Sequence, residues 1–583
     1  MNPADVQAAY SATLVDEWVR CGVTDAVVAP GSRSTPLLDA LARDGRLRLH
    51  VVLDERAAGF MALGLGLGAG RPALVVTTSG TAAVELHPAV VEAHQAAVPM
   101  VVLTADRPPE LHGVGAPQTV EQRGLYGEAT RFAAEPGVAD LAASGGWRSL
   151  AARSVAEAVA GPRGPGPTHL NLAFREPLLA ADQAAAHDAV PPGRPHSAPW
   201  HLPSRSPQLP PAAAVIELLT RPGRLGCIVA GQGAGDPAAV AELAAATAWP
   251  VLADPRSGCR VPGPMTIAAA DALLRIPRVA ALQPEVVLQL GAPAASKVVG
   301  QWLARPGVGD AVTVLVDPYG RWQDPDRRAT HAVAADPTET CRALAAAARA
   351  AGPPAERVTE WAATWQRAES SAQQVFDTQL QGPELSEPGI ARTVVAALRE
   401  GTTLVAASSM PVRDIEWWGR PRTGIRVVAN RGANGIDGTV ATALGVALSA
   451  GGQPVVALLG DLAFCYDAAA LLWAPRRDVD CTLVVVDNNG GGIFSFLPQA
   501  AALPAERFEA LWATPHGLEL SALAAVYGVA VTEVTTLDQL RAALAGGAAG
   551  RGVRMIVART SRSENVRFHA ALHAAVAAAI DAG

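Results

Sequence analysis

The stretch from Leu458 to Phe496 constrains the fold more than any other part of the chain. Two apolar runs, Pro454 to Leu459 and Cys481 to Val486, flank a helical pattern, and each run ends in a polar cluster. A short apolar run without alternation reads as a strand buried on both faces. Strand–helix–strand is the unit of a parallel sheet. The clusters Gly460-Asp461 and Asp487-Asn488-Asn489-Gly490 then fall at the carboxyl ends of adjacent strands, where open α/β sheets bind ligands. Asp461 and Asn488 are 27 positions apart, one crossover, so they can face each other. A carboxylate, an amide oxygen and a loop carbonyl are hard oxygen ligands that suit Mg²⁺ together with phosphate. Helix capping by Asp461, or a simple turn at Asn488-Asn489-Gly490, accounts for either half alone. It is the pair at this spacing that points to a metal–phosphate site.

The same rhythm runs through the rest of the chain. In the first third, TDAVVAP is a strand and GSRSTPLLDALAR a turn opening a helix, which sets Ser32 and Arg33 where backbone N–H groups favour anions. LRLHVVLDERAAGFMALG is a strand running into a helix, with Glu55 at the junction, a position where a glutamate often only complements the helix dipole. The glycines from Gly64 to Gly70 end a helix instead of following a strand, so they are not a dinucleotide loop. Thr78-Ser79-Gly80 forms the next turn. Arg107 follows the next strand, and Gln118 lies in the loop beyond it.

Residues 186–211 are rich in proline and read as an extended linker. A second α/β pattern begins at Ala212. Its GQGAGD turn misses the GxGxxG spacing, and Lys297 stands after a strand near a helix start. A helical connector, 351–384, leads to a third α/β pattern. That pattern holds Ser409, Met410 and Arg413 after one strand, and Arg431 and Ile436 in a Gly-rich loop after another. The expected fold class is α/β, with three doubly wound parallel-sheet domains at 1–185, 212–350 and 385–583.

Composition excludes several classes. A net charge of −7 argues against broad nucleic-acid binding. The six cysteines are scattered and form no CxxC, so neither zinc nor a disulfide framework is expected. No apolar run is long enough for a bilayer and no leader pattern stands at the N-terminus, so the expected location is cytoplasmic. Among 47 basic residues Lys297 is the only lysine. Lysine is a compact point charge and arginine a planar fork, so a site shaped for one resists the other.

PGSRSTPL, DERAAGFMALG, TSGTA, LTADRPPEL, NRGANGIDG, GDL…YD and NNGGGIF together resemble the 2-succinyl-5-enolpyruvyl-6-hydroxy-3-cyclohexene-1-carboxylate synthases. These are thiamine diphosphate (ThDP) transferases of menaquinone biosynthesis, and they join 2-oxoglutarate to isochorismate with loss of CO₂. The resemblance implies a pyrimidine-binding first domain, a central domain and a diphosphate-binding third domain. It makes Glu55 the catalytic partner of the aminopyrimidine ring. It makes Asp461, Asn488 and the Gly490 carbonyl the ligands of Mg²⁺, with Mn²⁺ as an alternative. Thr78, Ser79, Gly80, Ser409, Met410, Ile436, Leu462 and Asn488 match cofactor contacts, Ile436 being the bulky prop beneath ThDP. Ser32, Arg33, Arg107, Gln118, Lys297, Ser409, Arg413 and Arg431 match polar substrate contacts, and Ile493 and Phe494 an apolar wall. Five of those eight polar positions are basic, as dicarboxylate substrates require. Two positions depart from wider patterns. Pro117 stands where the family often has asparagine, and Leu462 replaces the third glycine of the broader GDG motif. The resemblance also implies a homodimer at least, and a homotetramer as a dimer of dimers, with Glu55 and Asp461 meeting across subunits.

Three rivals remain on sequence alone: another ThDP carboligase with a flavin in its middle domain, a non-catalytic regulatory protein of the same fold, and a nicotinamide dehydrogenase. The degenerate GQGAGD turn and the arginine set speak against the first, and the lack of a proper dinucleotide fingerprint against the third. Intact Glu55, Asp461 and Asn488 speak against the second.

Overall fold

A computed structural model describes residues 1–202, 213–305, 307–308, 311–472, 474, 477–546 and 552–582. Residues 203–211 of the proline-rich linker lie outside that set; its start is the short helix Gln183–Asp188.

Three six-stranded parallel sheets follow one another along the chain. The first holds β1 (Asp25–Val28), β2 (Arg48–Val51), β3 (Ala73–Thr77), β4 (Met100–Asp106), β5 (Phe132–Ala134) and β6 (Pro167–Ala173). The second holds β7 (Gly226–Ala230), β8 (Val251–Ala253), β9 (Thr266–Ile267), β10 (Val286–Leu290), β11 (Val312–Val316) and β12 (His331–Val333). The third holds β13 (Thr403–Ala406), β14 (Arg426–Val428), β15 (Val455–Gly460), β16 (Cys481–Asp487), β17 (Ala530–Val534) and β18 (Val553–Arg559). Central strands such as β3, β4 and β16 are buried along their whole length, because helices cover both faces.

The first and third sheets share one strand order: β2-β1-β3-β4-β6-β5 and β14-β13-β15-β16-β18-β17. The second runs β12-β11-β10-β7-β8-β9, so its order reverses between β7 and β10. A ligand crevice would open there; at the switch itself the two loops close on each other, and Gln232 and Gly233 line cavities of about 660 and 710 Å³ beside them. A Cβ on Gly231 would lie 1.6 Å from the Ala292 carbonyl, and one on Gly291 2.3 Å from that of Gln232, so the two loops touch. Asp236 also caps the following helix, accepting from Ala238 N at 2.9 Å, which places a carboxylate where a phosphate would sit. GQGAGD is therefore a packed turn, as its spacing suggests.

The glycines of the Glu55–Ala69 helix serve packing. That helix lies alongside Thr439–Ser449 of the third domain. A Cβ on Gly64 would meet the Thr442 carbonyl at 2.2 Å, and one on Gly445 the Met61 carbonyl at 2.2 Å. Missing side chains let the two backbones touch. The seam is closed by exchanged arginines where the C-terminal ends of the two helices lie side by side. Arg48, opening edge strand β2, donates to Leu448 O at 3.1 Å; Arg426, opening edge strand β14, donates to Gly68 O and Leu67 O at 2.8 and 2.6 Å. Each satisfies carbonyls at the other domain's helix end. A single apolar core runs across the seam, from Phe60, Met61 and Leu65 to Leu444 and Val446.

The helix Glu356–Gln379 joins the central and third domains. It packs Trp361, Trp365 and Phe376 against Trp302 and Trp418, with edge-to-face rings 5.1 to 5.9 Å apart. All six cysteines are unpaired; four are buried, and Cys21 and Cys465 are partly exposed. Among the described residues no helix is long and apolar enough to cross a membrane.

Candidate functional site

β15 and β16 are paired, Gly460 opposite Val486, so the two polar clusters sit side by side at the carboxyl edge. Asp461 opens a helix and is 2 % exposed. Its Oδ2 accepts N–H groups from Asn488 at 3.1 Å and Gly490 at 2.8 Å, and its Oδ1 accepts from Leu462 N at 2.6 Å. Burial, with the Asp487 charge nearby, pushes its carboxyl up, against those N–H groups. Asn488 donates Nδ2 to Glu387 Oε1 at 2.8 Å, while its Oδ1 is buried and has no partner among the described residues. A buried amide oxygen left unmet beside a carboxylate with lone pairs to spare is a donor set for a hard divalent cation. These residues fit Mg²⁺.

They line a cavity of about 420 Å³ in the third domain, within the range of small-molecule sites. Ser409, Met410, Arg413, Arg431, Ile436, Leu462, Gly490, Ile493 and Phe494 line it too. Ser409 turns β13 into the helix Met410–Trp418 with φ of 72°, a conformation that non-glycine residues hold only under constraint. Arg413 stands in the second turn of that helix. Burial lowers the pKa of Arg413 and of Arg431, and for Arg431 the charge of Arg413 adds to it. Two desolvated guanidiniums held together favour an anionic ligand.

The first-domain residues form a separate cluster at their own sheet's carboxyl edge. Arg33 N donates to Thr78 Oγ1 at 3.3 Å. Ser79 and Gln118 exchange hydrogen bonds: Ser79 Oγ to Gln118 O at 3.0 Å, and Gln118 Nε2 to Ser79 O at 3.1 Å. Gly80, with φ of 82°, faces Gln118 closely enough that a Cβ would sit 2.8 Å from its side chain. Arg107 donates to Pro117 O at 3.1 Å, so position 117 contributes its carbonyl. Arg33 is buried, donating to Phe174 O and Glu176 Oε1, and burial followed by the charge of Arg107 lowers its pKa. Ser32 is exposed beside it. Glu55 opens its helix half-buried; burial, then Asp54 and Glu85, raises its carboxyl. None of these residues lines the third-domain cavity.

Lys297 does not line the third-domain cavity, although Ala294 and Asp324 of its own cavity also line a space of about 710 Å³ that reaches Arg431. It is exposed, opens the helix Lys297–Leu303, and lines a central-domain cavity of about 360 Å³ with Asp324 and Asp326. It is nevertheless tied to the Arg413 helix, because Glu416 Oε1 of that helix accepts from Ser296 N at 2.9 Å.

Four carboxylate or imidazole groups around the site escaped sequence reading. Glu92, 1 % exposed on a first-domain helix, accepts N–H groups from Gly432, Ala433 and Asn434 at 2.8, 2.6 and 2.8 Å. It thereby holds the loop between Arg431 and Ile436. Glu416 ties Ser296, the residue before Lys297, to the Met410–Trp418 helix. Glu387 lines the cavity, and burial, followed by the Asp414 charge, pushes its carboxyl up to about 8. His516 Nε2 lies 3.3 Å from Asp461 Oδ2 and 3.6 Å from Asp487 Oδ1. Glu92 and His516 carry no local pattern, whereas Glu387 follows the capping Ser386 and reads only as a helix start.

Comparison with known proteins places the whole chain. Residues 9–125 match the family "Thiamine pyrophosphate enzyme, N-terminal TPP binding domain", 199–405 the "Middle domain of thiamine pyrophosphate", and 409–558 the "Thiamine pyrophosphate enzyme, C-terminal TPP binding domain". A 2-succinyl-5-enolpyruvyl-6-hydroxy-3-cyclohexene-1-carboxylate synthase of Thermobifida fusca is 43 % identical over 596 residues, covering 100 % of both chains. One from Kineococcus radiotolerans is 44 % identical, covering 99 % of this chain and 100 % of its own. One from Geobacillus kaustophilus is 39 % identical, covering 97 % of each.

Proposed function

Because the chain belongs to the 2-succinyl-5-enolpyruvyl-6-hydroxy-3-cyclohexene-1-carboxylate synthase family of thiamine diphosphate enzymes, we propose that it decarboxylates 2-oxoglutarate and adds the remaining unit to isochorismate in menaquinone biosynthesis. The observation that carries this reading is the third-domain cavity. It joins an oxygen donor set, Asp461 with the unmet Asn488 Oδ1, to the paired guanidiniums of Arg413 and Arg431.

Bound thiamine diphosphate supplies the electron sink that lets a 2-oxoacid lose CO₂ and form a carbon–carbon bond. The chain's residues do the rest. Asp461, Asn488 and the Gly490 carbonyl would hold Mg²⁺, or Mn²⁺, whose charge would offset that of the diphosphate. Met410, Leu462 and Ile436 give the cavity its apolar floor. Glu55, its carboxyl raised by burial, is suited to share a proton with a ring nitrogen. Arg33 with Arg107, and Arg413 with Arg431, give one arginine pair per half-site, matching two dicarboxylate substrates. Ser32, Gln118, Ser409 and the wall of Ile493 and Phe494 orient them.

Glu55 and its neighbours line no part of the third-domain cavity, so in this reading a second copy of the chain supplies them. The working unit is a homodimer, and two dimers pair as a homotetramer. The unpaired cysteines suit a cytoplasmic enzyme.

The test is CO₂ release from 2-oxoglutarate with thiamine diphosphate and Mg²⁺, with and without isochorismate, and with pyruvate as control. Turnover on 2-oxoglutarate that rises with isochorismate is expected. Release from pyruvate alone would overturn the substrate assignment.

Lys297 belongs to the same reading. Replacing it by arginine is expected to raise the KM for a substrate while thiamine diphosphate affinity stays unchanged, because a planar fork replaces a point charge. Steady-state kinetics identical to wild type would remove Lys297 from the substrate contacts.

A further inference from the structure

We propose that Glu387 is the positioning residue that sets the face Asn488 presents to the metal. This rests on the cofactor reading above. An asparagine amide has two chemically different ends, and only its oxygen can bind a cation. Some neighbour must decide which end points where. In this chain Glu387 does so: Oε1 accepts from Asn488 Nδ2 at 2.8 Å, which leaves Asn488 Oδ1 buried and without a partner among the described residues.

Glu387 is itself held. It is 4 % exposed and opens the helix Glu387–Ala397 beneath the Ser386 cap, whose Oγ accepts from Gly389 N at 3.1 Å. Thr560, just past the end of β18, donates Oγ1 to the same Oε1 at 3.1 Å. Thr560 N in turn donates to Asp487 O at 2.8 Å, so β16, β18 and the Glu387 helix are tied around one amide. Because Oε1 accepts from both Nδ2 and the Thr560 hydroxyl, a proton on this carboxyl belongs on Oε2, and at Oε1 the flipped amide would bring two oxygens together.

Groups that orient metal ligands from behind typically change metal affinity by about 10–100-fold when removed. The experiment is Mn²⁺ titration of the full-length protein by electron paramagnetic resonance, with thiamine diphosphate present. Glu387→Ala is expected to weaken Mn²⁺ binding by about that factor, with the circular dichroism unchanged. Glu387→Gln keeps an oxygen that accepts from Nδ2 and is expected to bind Mn²⁺ as the wild type does. In an Asn488→Ala background, Glu387→Ala should add no further loss. Wild-type affinity in Glu387→Ala, or a full additional loss in the Asn488→Ala background, would overturn the proposal. Wild-type protein that takes up no Mn²⁺ with thiamine diphosphate would overturn the cofactor reading itself, and the role of Glu387 with it.

Discussion

Glu55→Gln is expected to lower turnover by about 10²–10⁴-fold, the usual worth of a positioned acid–base group, while thiamine diphosphate and Mn²⁺ still bind. Glutamine keeps the shape of the side chain and one hydrogen bond but cannot share a proton. Burial, with Asp54 and Glu85 close by, already holds the Glu55 carboxyl above its ordinary range, so the native residue is set for that exchange. Asp461 and Asn488, the proposed metal ligands, lie in another domain and are untouched. A second measurement locates the effect. Mixing Glu55→Gln chains with Asp461→Ala chains should restore activity, because in the proposed homodimer a hybrid would contain one site with both groups intact. Full activity in Glu55→Gln alone would remove Glu55 from the chemistry. A mixture as inactive as its parts would place Glu55 and Asp461 in the same chain's site.

The second large effect is structural. Gly445→Val puts a branched side chain where a Cβ alone would lie 2.2 Å from the Met61 carbonyl and 2.9 Å from Gly64 Cα. Neither neighbour is a flexible side-chain tip, so the helices must separate. Overpacking of a tight core costs about 1–3 kcal/mol and more where backbone has to move. The seam also carries the core shared by the first and third domains, so the loss should appear as a shorter half-life on heating. Gly445→Ala should show the same direction with a smaller effect. Unchanged thermal inactivation of the valine variant would mean that the helices are not in contact there.

The parallel-sheet architecture was legible because each strand–turn–helix unit is local. An apolar run, a Gly- or Asp-bearing turn and a helical pattern lie within a few tens of residues, as at Val455–Asp467. Asp461 and Asn488 were legible for the same reason, being one crossover apart. What supports them was not. Glu387 comes a hundred positions before Asn488, and Glu92 more than three hundred before the loop it holds. A lone glutamate gives no sign of a partner at that distance. Gly64 and Gly68 could be excluded as a nucleotide loop, but their use depends on a helix in another domain, which a linear pattern does not contain. Lys297 shows the opposite limit. Its rarity marked it out, yet rarity says nothing of position, and it lines a different cavity from the one that holds Arg413 and Arg431.

Arg48 and Arg426 deserve a last comparison. Each opens the second strand of its own domain, and each donates to the end of the helix that follows the second strand of the other. With the strand order shared by the two sheets, this gives the single chain an approximate internal dyad. Two copies joined about a true dyad would then surround one centre with four equivalent sheets in pseudo-dihedral symmetry. Every residue on the seam helices would have a topological counterpart in the same protomer as well as an identical one in the next.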